Sequence, residues 1–142
     1  MDLAIITEET GRALEAGVPI VPISWGELFD KITILELKQD RLTSPRQLDN
    51  VGRELALLNR FASAREAEDL PDLIEELRTV NEQLWSLEDE IRELERRKEF
   101  TEEFISVARG LYQVNDRRAA LKRRINVLLG SELKEEKSYK PY

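Results

Sequence analysis

The chain has 142 residues, enough for one domain with a core of its own, and sets 22 basic against 29 acidic side chains for a net charge of −7. It contains no Cys and no His, which excludes disulfides, thiolate nucleophiles, Cys-based metal sites and the commonest general base. The negative balance disfavours general affinity for nucleic acid or an anionic membrane, and no apolar run approaches the ~20 residues of a membrane span. Residues 1–6 lack the basic-then-apolar pattern of a secretory signal, so a cytoplasmic location is expected. Apolar residues make up 41% and charged ones 36%, with only 6 Gly and 5 Pro, the composition of long amphipathic helices.

The first 23 residues read differently from the rest. Apolar stretches at 3–7 and 18–23 flank a polar segment holding Gly11 and Gly17, and Pro19 and Pro22 oppose both a central strand and a helix. The expectation for 1–23 is an extended arm or small hairpin lying on a helical domain spanning 24–130. Ser24 with Glu27 three residues on is a capping box, in which the hydroxyl accepts from the Glu27 amide and the carboxylate reaches back. Leu28, Ile32, Leu35 and Leu42 then form one stripe, ended by Ser44-Pro45. A second helix carries Leu48, Val51, Leu55 and Leu58 and fades near Ala64.

Asp69-Leu70-Pro71 opens a third helix, with acids in its first turns. Leu73, Leu77, Val80, Leu84, Leu87, Ile91 and Leu94 alternate in steps of four and three, a heptad seam. After a turn at Lys98-Glu99-Phe100, Thr101 is expected to cap a fourth helix. There Val107, Leu111, Val114, Arg118, Leu121, Ile125 and Leu128 repeat the spacing, and Gly130 stops it. Both long helices run about 28 residues, about 40 Å, and their short connection folds them into an antiparallel, coiled-coil-like hairpin. Residues 69–99 hold 11 acids against 5 bases, a net of −6, whereas 104–129 hold 6 bases against 1 acid. The start of one thus lies beside the basic end of the other. Residues 131–142 form a charged tail with Tyr139 and Tyr142.

The basic run at 117–124 winds around its helix and has no interleaved aromatic residues, so interhelical ion pairs, not nucleic acid, are its expected partners. Arg118 stands apart because it occupies an apolar seam position. Antiparallel register sets it opposite Asn81, and Asn115 near Trp85, so a polar layer of Asn81, Glu88, Asn115, Arg118 and Lys122 is expected inside the hairpin, with Lys31, Glu36 and Lys38 nearby on the first helix. Two readings compete. The layer is a device that fixes helix register, or it is a pocket for an anionic ligand with Arg118 and Lys122 as donors. Glu27-x-x-Asp30 matches only loosely the acidic pattern by which helical nucleotide pyrophosphohydrolases hold Mg²⁺, so no metal ligand and no cofactor is assigned.

Three blocks carry a family resemblance. They are residues 22–38 from Pro22-Ile23-Ser24-Trp25-Gly26 onward; Asn81, Leu84-Trp85, Glu88-Asp89 and Ile91-Arg92; and Asn115-Asp116-Arg117-Arg118 through Lys122, with Ile125-Asn126 and the tail around Tyr139. Together they resemble a family of short bacterial all-helical proteins of unknown function, over residues 20 to about 139. That resemblance implies proximity or fusion to glycosyltransferases and surface-polysaccharide functions. It implies no reaction, and it marks Lys31, Glu36, Lys38, Asn81, Trp85, Glu88, Asp89, Arg92, Asn115, Asp116, Arg118 and Lys122 as ligand-binding candidates. Two functions are open at this point. One is a non-enzymatic helical scaffold acting through a protein partner or a homodimer. The other is a small enzyme or sensor that holds a nucleotide-type or sugar-phosphate anion, with or without Mg²⁺, in the polar layer.

Overall fold

The computed structural model describes residues 3–142. It is all-helical: α1 (Leu3–Glu15), α2 (Trp25–Arg41), α3 (Pro45–Ala62), α4 (Leu70–Arg96) and α5 (Glu102–Leu129). α2 is the central element. It packs against α3 on one side and against both α4 and α5 on the other, while α1 packs on α3. Leu28, Ile32 and Leu35 of α2, Val51 and Leu55 of α3, Leu73, Leu77 and Val80 of α4, and Leu121 and Ile125 of α5 share one core.

The expected extended arm is corrected by α1. Residues 3–15 are helical, Gly11 included, and Pro19 and Pro22 act only beyond the helix, where 18–24 carry no helix or strand. Ala13 is fully buried against the body of the protein. Gly17 (φ 74) closes α1, with its own N–H bonded to Leu14 O and the Val18 N–H to Ala13 O. Gly130 (φ 62) ends α5 with the same pair of bonds, from its own N–H to Val127 O and from Ser131 to Asn126 O. Lys98 (φ 55) does so for α4 in a left-handed conformation that L residues seldom adopt. No glycine marks that last turn, so its type was not legible in the sequence.

α4 and α5 run antiparallel, as contacts along their length establish. Arg124 pairs with Glu76 at 3.6 Å, Arg118 donates to Asn81, and Gly110 lies against Leu87. The two seams are buried as expected over Leu73, Leu77, Val80, Leu84 and Leu94, and over Val107, Val114, Leu121 and Ile125. At the end of α5 the inward residue is Leu129, whereas Leu128 is exposed, because the helix turns its last apolar stripe toward α2 and Arg65. Neither Asp69 nor Thr101 makes a side-chain capping bond, although both stand at the N-cap position. Among the described residues, the expected ion pairs between α4 and the basic run reduce to Arg124–Glu76, and Arg117 donates to Gln83 instead.

At the entry of α2 two backbones come very close. Ser24 caps the helix by accepting from the Glu27 N–H at 3.2 Å. The Glu27 carboxylate does not reach back, because it is bonded to Lys122 of α5. Gly26 donates its buried N–H to Asn126 Oδ1 at 2.7 Å, and a Cβ there would fall on the Lys122 carbonyl oxygen and within 2.9 Å of Asn126 Oδ1. Only glycine lets the two backbones approach so closely. Gly26→Ala should therefore cost about 1–3 kcal/mol and lower the melting temperature by several degrees. Gly11→Ala, in a helix with nothing within 4 Å of the added Cβ, should raise it slightly. Equal melting temperatures for Gly26→Ala and wild type would refute this account of the α2–α5 contact.

Candidate functional site

The contact at Gly26 places the next turns of α2 over the middle of the α4–α5 hairpin. Asp30, Thr33 and Asn81 are all buried there. Asn81 Nδ2 donates to Asp30 Oδ1 and to Thr33 Oγ1, both at 2.9 Å, and Thr33 in turn donates to the Asp30 carbonyl at 2.8 Å. The Asn81 carbonyl oxygen faces the other way and accepts from Arg118 Nη1 at 3.3 Å, while Arg118 Nη2 donates to Asn115 Oδ1 at 2.6 Å. Among the described residues no buried side-chain nitrogen or oxygen lacks a partner, so the buried members of this network are satisfied.

Lys122 anchors a second polar group one turn along α5. Its side chain is only 12% exposed and its ammonium meets Glu27 at 2.7 Å, Glu135 at 3.0 Å and Asp30 at 3.9 Å. Burial opposes its charge, but the hydrogen bonds to Glu27 and Glu135 and the nearby Asp30 outweigh that, so its pKa lies above the ordinary 10.5. Glu135 moves below its ordinary 4.5, held down by Lys137 and by Lys122. Lys122 is thus a structural pin between α2, α5 and the tail, and its donors are spent on carboxylates.

Arg118 is in a different position. Its guanidinium touches two neutral amide oxygens and, among the described residues, no carboxylate. It lies at the edge of a cleft of about 570 Å³ formed by α2, α4 and α5. Asn81, Trp85, Glu88, Asp89 and Arg92 of α4 line one wall, and Tyr112, Asn115 and Arg118 of α5 the other. Ile34 and Leu37 of α2 form the apolar floor with Leu84 and Leu111. Arg41, in the last turn of α2, stacks its guanidinium over the Trp85 ring at 5.5 Å. Glu88 is paired with Arg92 at 2.9 Å. Asp89 is exposed and has no ion partner among the described residues.

The cleft therefore brings together seven of the candidates named from sequence, Asn81, Trp85, Glu88, Asp89, Arg92, Asn115 and Arg118. The other five lie elsewhere. Lys31 pairs with Glu27 at 3.8 Å beside a separate apolar groove. Glu36 is bound by Arg78, Lys38 sits half-buried in the last turn of α2, and Asp116 accepts the Tyr142 hydroxyl at 2.6 Å. Lys122 is the pin just described. Sequence reasoning gave Leu111 only a seam position and passed over Ile34, Leu37, Tyr112 and Arg41 as cleft residues. Tyr112 was within reach, three residues before Asn115 and on the same helix face, and so was Arg41, one turn after Leu37.

Glu27 and Asp30, the pair weighed for Mg²⁺, both face the Lys122 ammonium instead. Among the described residues, no three acidic side chains converge in a way that could hold a metal ion. Among the described residues no helix is long and apolar enough to cross a membrane.

The chain belongs to DUF6165, a family of unknown function, whose model matches residues 20–141. The match takes in α2 to α5 and the tail, hence the whole cleft, and begins after α1. No curated protein and no solved structure matches the chain.

The Lys122 pin makes a pH prediction. Its folded pKa is higher than its ordinary value, so the folded state holds the proton more tightly than the unfolded chain does. The stabilisation is complete below pH 10.5 and is lost as pH rises through the folded pKa. Denaturant unfolding of wild type should show stability falling across that alkaline range. Lys122→Met should be less stable at neutral pH, by about 1–3 kcal/mol, and should lack that part of the fall. Parallel pH profiles for the two proteins would exclude the pin.

Proposed function

We propose that this chain is a non-enzymatic helical binding module whose α2–α4–α5 cleft takes an anionic small molecule bearing a ring, of the nucleotide or sugar-phosphate type. The observation that carries this reading is Arg118, a cation fixed in direction by Asn81 and Asn115 but neutralised by neither. A guanidinium has five N–H donors, and a register device would have spent its charge on a carboxylate, as Lys122 does. The unspent donors suit a phosphate or carboxylate, which they meet as a planar fork. Trp85, backed by Arg41, and Tyr112 offer ring faces, and Asp89 offers an acceptor for a hydroxyl. The resemblance to bacterial proteins found near glycosyltransferases puts nucleotide sugars and sugar phosphates first among ligands, in the cytoplasm.

A thermal-shift screen of nucleotides, nucleotide sugars and sugar phosphates, with and without Mg²⁺, tests it. A ligand at 100 times its dissociation constant stabilises by about 2.7 kcal/mol, a shift of several degrees. Arg118→Ala should abolish the shift and Arg53→Ala, on the exposed side of α3, should keep it. A flat screen, or a shift that survives Arg118→Ala, refutes the reading.

A second reading rests on the far end of the hairpin. α2 ends beside Trp85, and beyond it Phe100 and Ile105 are 55% and 48% exposed. Such a tip supports scaffolding by homodimerisation. Sedimentation should then show a dimer that Ile105→Glu dissociates; a monomer at all concentrations removes this reading.

A further inference from the structure

Beyond Gly130 the chain turns back and runs along α5 as a strap held at three points. Ser131 Oγ accepts from the Trp25 N–H at 3.4 Å and donates to Leu133 O at 2.8 Å. Glu135 sits on Lys122 at 3.0 Å. At the far end the Tyr142 ring packs edge-on against Tyr112, with centroids 5.0 Å apart at 73°, and its hydroxyl donates to Asp116. Between the last two points α5 presents Ala119 and Ala120, whose methyl groups are too short to meet the strap. A groove of about 680 Å³ remains beneath it.

The charge around that groove runs against the charge of the chain. Arg123 from α5 and Lys137 and Lys140 from the strap line it, with Asp116 as the one acidic side chain of the lining, already accepting from Tyr142. Arg123 and Lys140 have no ion partner among the described residues. Lys137 shares Glu135 with Lys122 and lies over the Tyr139 ring at 5.9 Å. In a protein of net charge −7, Arg123 and Lys140, neither of them ion-paired among the described residues, and Lys137, paired with Glu135, bring positive charge to a partly enclosed space. Arg123 also belongs to the basic run at 117–124 and is the member that neither α4 nor the polar network engages.

We propose that the groove between α5 and the C-terminal strap is an oxyanion site for a phosphate-type dianion or a short polyphosphate, with Arg123, Lys137 and Lys140 as its donors. The arginine supplies a planar fork and the lysines two mobile point charges, the combination that holds a phosphoryl group from several sides. Tyr112 and Asn115 line both the groove and the cleft, so their side chains stand as the partition between this site and Arg118. The site does not depend on what the cleft binds.

The test is a titration of the full chain, labelled with ¹⁵N, with pyrophosphate in the absence of divalent cations. Saturable shifts are expected at the amides of Ala119, Ala120 and Lys140. Arg123→Ala and Lys140→Ala should each weaken binding about tenfold, while Arg118→Ala and Arg53→Ala leave it unchanged. Both groove substitutions are at exposed positions, Lys140 outside any helix, so the fold is retained. The proposal is overturned if binding does not saturate, if neither groove substitution weakens it, or if the shifts fall on Asn81 and Trp85 and vanish with Arg118→Ala.

Discussion

The architecture depends on how closely the first turn of α2 approaches α5. Gly26 has no side chain, so its N–H can bond Asn126 and its Cα can lie against the Lys122 carbonyl. Once that distance is set, α2 cannot slide or rotate on the hairpin without breaking buried hydrogen bonds. Everything that gives the molecule a distinctive surface lies downstream: the depth at which Asp30 and Thr33 meet Asn81, the burial of Lys122, and the gap that becomes the cleft.

The polar residues inside the bundle divide into two kinds by how their charge is handled. Lys122 faces three carboxylates and Asn81 uses both ends of its amide, so both behave as parts of a specified, satisfied interior. Truncating either would strand its partners, the most costly way to lose a polar contact. Arg118 is oriented by that interior without being neutralised by it. The register device and the ligand pocket, alternatives when only the sequence is considered, thus coexist as the two faces of Asn81. One face ties α2 to α4 and the other aims Arg118.

Much of the helical body was legible because its signals are local and periodic. The seam on α4 follows from spacing alone, and Ser24 at the start of α2 and Gly130 at the end of α5 are short-range chemistry acting on the residues beside them. The placement of Arg118 opposite Asn81 needed only an antiparallel register, which one short connection imposes. α1 was misread because Gly11 and two downstream prolines weigh against a helix locally, whereas contact with α3 decides the outcome. The turn at Lys98 was placed by the sequence, but its left-handed form was hidden, since a lysine there does the work usually left to glycine.

The sequence by itself determined that the chain is helical, where its long helices begin and end, which stripe of each is apolar, and that an arginine interrupts one of those stripes. Those properties depend on neighbours within a turn or two. Tertiary structure alone decided that α2 covers the hairpin, that Glu27 serves Lys122 instead of its own helix, and that Asn115 and Trp85 face a cleft while Lys31 and Asp116 do not. Each is a choice among partners of similar chemistry far apart in the chain, such as Glu27 and Lys122, 95 positions apart. Such a choice is made by which backbones can approach each other, and here by the one residue, Gly26, that has no side chain to prevent it.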